Sequence, residues 1–244
     1  MSFHDNPAQF YANSRQFFQD LMGAHLRLRH LPTRTAVLVA LARRVDARSF
    51  ADWGAGVGRD CIAMARSGLL VTHVDVLGEG TVLAGWRYSQ RGLAVAIADA
   101  LNPTGDRFDI ISNFDCMEHL EDPIAVLGQI VSRLNPAGLL VLAVDFYNFD
   151  LAQPGPHLPK NFVYGGLMQM ALDTIGMRKI AGRPSPWFET AGAETTVWQK
   201  PADLELSEAV LTRRLREQTL KFLYTFREFY DEEIARTKNQ LRTE

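Results

Sequence analysis

The residues best placed to do chemistry begin at Asp52-Trp53-Gly54-Ala55-Gly56-Val57-Gly58, where glycine recurs at every second position behind the apolar Phe50-Ala51. A turn of this kind takes backbone angles closed to other residues and lets a ligand lie against the main chain. The helical pattern that follows points its unpaired N–H groups into the same space. The ligand so favoured is nucleotide-like, and two common fingerprints can be tested directly. For G-x-G-x-x-G, the frame from Gly54 meets Arg59 and the frame from Gly56 meets Cys61, so neither dinucleotide reading fits. The phosphate-binding G-x-x-x-x-G-K-[ST] pattern is absent as well. Further along, Asp75, Asp99 and Asn113 each close a short apolar run.

Those runs define the elements that must hold the acids in place. Short strands are expected at 49–52, 69–74, 94–98, 109–113 and 139–144, with helices at about 59–67, 79–91 and 123–134 between them. This alternation predicts an α/β chain with a Rossmann-like, doubly wound, mostly parallel sheet. Asp122-Pro123 supplies an N-cap acceptor followed by a proline at the first helical position. After a helix near 163–175, two strand-like segments, 177–182 and 194–199, follow with no helix between them and predict an antiparallel hairpin at the sheet edge. Residues 1–45 read as helices separated near Pro32, and 203–240 as one long helix. The whole reads as a single domain: a helical N-terminal cap over 1–45, a ligand-binding core over 46–200, and a C-terminal helix over 201–244.

Composition narrows the class. The 244 residues are 47% hydrophobic and 22% charged, ordinary for a globular chain, and the formal net charge is −2. Near-neutrality argues against a protein built mainly to hold nucleic acid or an anionic membrane. No bilayer-length apolar stretch and no basic-then-apolar leader is visible, and Cys61 and Cys116 fall inside predicted elements. The expectation is a cytoplasmic protein with reduced thiols.

What remains, Asp52-x-Gly54-x-Gly56-x-Gly58, resembles the class I S-adenosylmethionine-dependent methyltransferases. The resemblance covers about residues 48–145 through ordered features: the glycine motif, Asp75 in Val71-Thr72-His73-Val74-Asp75, and Asp99 in Ala98-Asp99-Ala100. It continues through Cys116-Met117-Glu118-His119-Leu120-Glu121-Asp122-Pro123, similar to the family's "EH-l-x-D-P", and Arg133-Leu134-Asn135-Pro136-Ala137-Gly138, similar to its "R-L-K-P-G-G" with Ala137 for glycine. It implies S-adenosyl-L-methionine as cofactor, with S-adenosyl-L-homocysteine as product. Gly54 and Gly56 would receive its methionine and sugar, and Asp52 would organise the loop and the ammonium. Asp75 would hold the ribose hydroxyls, Asp99 and Ala100 would line the adenine, and Asn113 would present its carbonyl to the ammonium. Trp53 stands where the family carries a smaller apolar residue, and is expected in the core beneath the loop.

A sulfonium methyl is already activated, so the protein's remaining task is to align an acceptor and remove its proton. His157, in the irregular stretch after the fifth strand, is the candidate base. Glu118-His119 is expected to be structural or at the cofactor's edge. Tyr11, Tyr147 and Trp187 are candidate acceptor contacts, each also readable as ordinary packing. No metal is expected: no paired His/Cys spacing suits zinc, and Asp145 with Asn148, where catechol methyltransferases hold magnesium, lies in a dissimilar loop. The general likeness is to the ubiquinone-biosynthesis-like branch. The expected reaction is methylation of an oxygen or nitrogen on a small, partly apolar metabolite. Methylation of a protein or RNA, or a non-catalytic cofactor-binding protein of the same fold, are the rivals. The aromatic face of the C-terminal helix must be covered by its own domain or by a second subunit, making a homodimer possible.

Overall fold

Each apolar run bounded by a turn becomes a strand, and each amphipathic run becomes a helix laid on one of the sheet's faces. The computed structural model describes residues 6–27, 31–146, 157–184 and 194–243. The order is α1 (Pro7–Asn13), α2 (Arg15–Arg27), α3 (Leu31–Arg44), β1 (Ser49–Trp53), α4 (Arg59–Arg66), β2 (Leu70–Asp75), α5 (Glu79–Ser89) and β3 (Val95–Asp99). Then come β4 (Phe108–Phe114), α6 (Pro123–Ser132), β5 (Leu134–Val144), α7 (Tyr164–Thr174), β6 (Arg178–Pro184), β7 (Glu194–Gln199) and α8 (Glu208–Thr243). The N-terminal pattern read as two helices contains three, because the chain also breaks at Ser14.

The seven strands run β3-β2-β1-β4-β5-β7-β6. The first five are parallel, and β7 alone runs against both its neighbours. The antiparallel strand therefore lies inside the edge, with β6 outermost. Two cores flank the sheet. Along β5, Leu140 and Leu142 face the core shared with α6, α7 and α8, while Leu139 and Val141 face the one shared with α3, α4 and α5. That two-residue alternation follows from the pleat. Asp122 Oδ1 accepts from Ala125 N at 2.9 Å, the cap expected ahead of Pro123.

Successive connections reverse direction between β1 and β4, which opens a crevice at the strands' C-terminal ends. The glycine turn lies there, locked from behind. Gly58 adopts φ 71°, and a Cβ added to it would fall 1.9 Å from the Tyr88 hydroxyl of α5. That hydroxyl also shares a 2.7 Å hydrogen bond with Nδ1 of His73 on β2. His73 is fully buried, and burial lowers its pKa to about 4, so the ring is neutral.

Ala137 occupies the left-handed region, φ 61°, in the exposed turn at the start of β5. An alanine there costs about 1–2 kcal/mol relative to a right-handed conformation, and the extra chain entropy of glycine offsets roughly half of that. We expect Ala137→Gly to stabilise the protein by about 0.5–1 kcal/mol, visible as a raised midpoint in urea with an unchanged slope. A lowered midpoint would show that the turn prefers the methyl group.

Candidate active site

The ends of β1, β2, β3 and β4 bring the expected cofactor residues to one crevice. At the end of β1, Asp52 is 4% exposed, and its Oδ1 accepts from Ser112 Oγ at 2.6 Å. Burial, reinforced by Asp60, raises its pKa to about 7 against the opposing help of Ser112 and Arg34. Trp53 beside it is 2% exposed and belongs to the core, as expected. Gly54 adopts φ 79°, and a Cβ there would meet Cys116 Sγ at 2.4 Å, so side chains are excluded from both directions.

Asp75 closes β2 and reaches across to the glycine turn. Its Oδ2 accepts from Gly56 N at 2.6 Å, and its Oδ1 accepts from Val76 N at 2.7 Å. Burial nevertheless pushes its pKa up to about 6, against those two backbone bonds. Asp99 pairs in register with Asp75 at the end of β3. Its carboxylate accepts from Leu101 N at 2.9 Å and from Asn102 Nδ2 at 3.3 Å, while Ala100 N donates to Asp75 O at 2.9 Å. Asn113, on β4, donates from Nδ2 to Trp53 O at 2.8 Å, and its buried Oδ1 has no hydrogen-bond partner among the described residues.

A second group closes the crevice from the β4 and β5 side. A short helical turn over Met117–His119 buries Glu118 to 1% exposure, leaving Oε2 without a hydrogen-bond partner among the described residues. Burial, with Asp115 nearby, raises its pKa to about 8. The segment after β5 is pinned onto this turn: Leu158 N donates to Glu118 O at 3.1 Å, and Asn161 Nδ2 to Leu120 O at 2.8 Å. The pinning sets the His157 ring perpendicular to His119, centroids 4.7 Å apart. Burial holds the His157 pKa below its ordinary value. Asp145, 3% exposed, lies just beyond β5.

The N-terminal helices cover this arrangement. Gly78 meets α1 so closely that a Cβ there would fall 2.1 Å from Ala12 O, and Leu21 of α2 lies over Gly56. Tyr11 brings its ring to 5.9 Å from His119. Burial, then the nearby Cys116, Glu118 and Asp75, push its pKa up. Tyr147 and Trp187 lie outside the described residues.

Two features were not read from the sequence. Arg34, on α3, sits 3.0 Å from Asp115 and 3.4 Å from Asp60, with its guanidinium 4.2 Å from the centre of the Phe114 ring. Thr35 Oγ1 donates to the other oxygen of Asp60 at 2.5 Å. Nothing in the spacing of residues 34, 60 and 115 announces that clamp. Likewise, Glu118, His119 and His157 each offer a ligand atom within 4.8 Å of the others, although 38 residues separate the histidines. Such a trio could close on one cation.

Comparison with known proteins supplies the family. The sequence profile of a family described as a methyltransferase domain matches residues 24–174. A ubiquinone biosynthesis O-methyltransferase of Parvibaculum lavamentivorans is 32% identical over 126 residues, 48% of this chain and 49% of that protein. One from Cereibacter sphaeroides is 35% identical over 94 residues, 37% and 38% of the two chains. The matched segment thus spans half or less of the curated relatives. Among solved structures, the N-methyltransferase NodS of Bradyrhizobium japonicum with S-adenosyl-L-homocysteine superposes with TM-score 0.54 at 17% identity, covering 70% of this chain and 87% of that one. An O-methyltransferase family protein of Burkholderia thailandensis gives 0.55 at 18%, covering 78% and 60%. At those identities the structures speak for the fold alone. The profile match spans well over half of the chain on that same strand order, and it makes the chain a member of the class I S-adenosylmethionine-dependent methyltransferases.

Proposed function

We infer that the protein transfers a methyl group from S-adenosyl-L-methionine to an oxygen or nitrogen of a small, partly apolar metabolite. The observation that carries this reading is the crevice's unmet demand for positive charge. Asp52, Asp75 and Glu118 are raised in pKa by burial, and the Asn113 and Glu118 oxygens lack partners among the described residues. A ligand bearing a sulfonium and an ammonium suits those groups, and the glycine turn leaves room for it against the main chain. S-adenosyl-L-methionine supplies a methyl group already activated for displacement. Asp75, fixed by Gly56 and Val76, is oriented to accept from vicinal ribose hydroxyls. Asp99 and Ala100 line the adenine side beside it, and Asp52 steadies the loop from below.

The chain's own contribution to the chemistry is alignment and proton removal. His157, held neutral near pH 7 by its burial, is in the form that accepts a proton from the acceptor. Tyr11 supplies an aromatic wall next to His119. The N-terminal helices and residues 157–166 border the acceptor side, and the rest of the expected pocket, 147–156 and 185–192, lies outside the described residues. The named relatives act in ubiquinone biosynthesis, which supports a small-molecule acceptor, and a net charge of −2 speaks against nucleic acid.

A second reading differs only in the proton's destination. The Glu118, His119 and His157 trio, with Glu118 Oε2 unpartnered among the described residues, would take a divalent cation that lowers the pKa of an acceptor hydroxyl. Chelator-treated protein that loses turnover, and regains it with added zinc or magnesium, would select this reading over the metal-free one.

Three outcomes are expected. S-adenosyl-L-homocysteine binds in calorimetry, and Asp75→Ala weakens it by about 1–3 kcal/mol, the scale of hydrogen bonds to a charged group. Absence of binding by the unaltered protein would end the reading. His157→Ala lowers kcat by about 10²-fold or more with cofactor affinity unchanged, and an unchanged kcat removes it as the base. Affinity for the cationic cofactor rises with pH between about 5 and 8. Below their raised pKa values of about 6 and 7, Asp75 and Asp52 hold protons that a cation must expel. Asp52→Asn should flatten the upper part of that rise in a calorimetric pH series.

A further inference from the structure

α8 begins as a core helix and ends outside the domain. Its first half is fixed: Leu211 and Leu215 are fully buried, Arg133 meets Glu208 at 3.0 Å, and Arg216 meets Asp122 at 2.5 Å. From Tyr224 to Gln240 every residue whose burial is described is exposed. At 1.5 Å per residue, the stretch to Thr243 projects for roughly 30 Å. The apolar stripe does not stop where the domain does. At 100° per residue, Phe222, Phe226, Phe229 and Tyr230 lie on the same face as Leu211, Leu215 and Thr219, so the buried stripe continues into solvent as far as Tyr230, and Glu233 on that face closes it. Phe229 is 64% exposed and Tyr230 59%. The rings stack along the helix, Phe222 on Phe226 with centroids 4.2 Å apart.

We propose that this stripe is covered by α8 of a second copy, packed antiparallel about a two-fold axis near Phe226 and Arg227. The charge pattern selects both occupant and direction. Lys221 and Glu232 occupy one flank of the stripe and stand equally far on either side of that point. Leu223 and Tyr230 are related in the same way on the other flank. An antiparallel two-fold sets each flank against its own copy, so Lys221 of each helix meets Glu232 of the other, and Leu223 meets Tyr230. Parallel pairing would instead set Glu233, which lies on the stripe four residues beyond Phe229, directly against its own copy. The exposed parts of the stripe's aromatics would bury on the order of 300–400 Å² per copy, about half of the ~800 Å² per partner of a stable complex, with the flanking side chains adding to it. A membrane surface is a poorer occupant, because Glu233 interrupts the stripe itself and Asp231 and Glu232 stand among the basic residues around the rest of the helix.

Light scattering on the full chain tests this. The expected result is a dimer whose dissociation constant rises at least about tenfold in Phe226→Ser, with the far-ultraviolet circular dichroism and S-adenosyl-L-homocysteine affinity unchanged. Lys221→Glu and Glu232→Lys should each weaken self-association, and an equimolar mixture of the two should restore the dimer. A monomeric unaltered protein overturns the proposal, whether or not it binds anionic vesicles. So does a dimer indifferent to Phe226→Ser, or a mixture that fails to recover.

Discussion

Asp52 and Asp60 are buried side by side beneath the glycine turn, and the arrangement above them depends on making that tolerable. An uncompensated buried carboxylate costs several kcal/mol. The Asp52 carboxyl answers with a raised pKa and a short bond from Ser112. Asp60 answers with Arg34 and Thr35, both from α3. The same guanidinium holds Asp115, a residue at φ 50° just past β4. One side chain thus ties the N-terminal helices to the start of α4 and to the end of β4. The walls of the crevice keep their spacing through it.

That clamp also explains why the helices before β1 lie over the site. α3 is anchored beneath the turn, which leaves α1 and α2 to cross its open side. There Gly78, lacking a Cβ, admits the backbone of α1. A cover built in this way excludes water where charge is exchanged, which strengthens every electrostatic interaction beneath it. Burial is also what raises the pKa values of Asp75 and Glu118.

Much of this was legible in the sequence, for definite reasons. The sheet announced itself because parallel strands, buried on both faces, are short apolar runs, and helix caps such as Asp122-Pro123 have local chemistry. The Asp52, Gly54 and Asp75 group was readable because a fixed order of motifs along a doubly wound fold implies one crevice. The position of β7 between β5 and β6 was not, since hydrophobic alternation says nothing about which strand of a hairpin faces the sheet. Arg34 and the His119–His157 contact were hidden for the same reason. Each joins residues far apart in sequence, and only the packing of α3 and the pinning of the 157–161 segment bring them together.

The Tyr88 hydroxyl carries a different kind of consequence. It occupies the space that any side chain at position 58 would need, and it also meets the buried ring of His73. Three positions on the glycine turn, α5 and β2 therefore share one atom. Substitutions at them cannot have independent effects. Losing the hydroxyl strands a neutral imidazole nitrogen, while a residue larger than glycine at 58 becomes tolerable only after the tyrosine has shrunk. The route by which this turn could change is thereby ordered: α5 must yield before the third glycine can be replaced.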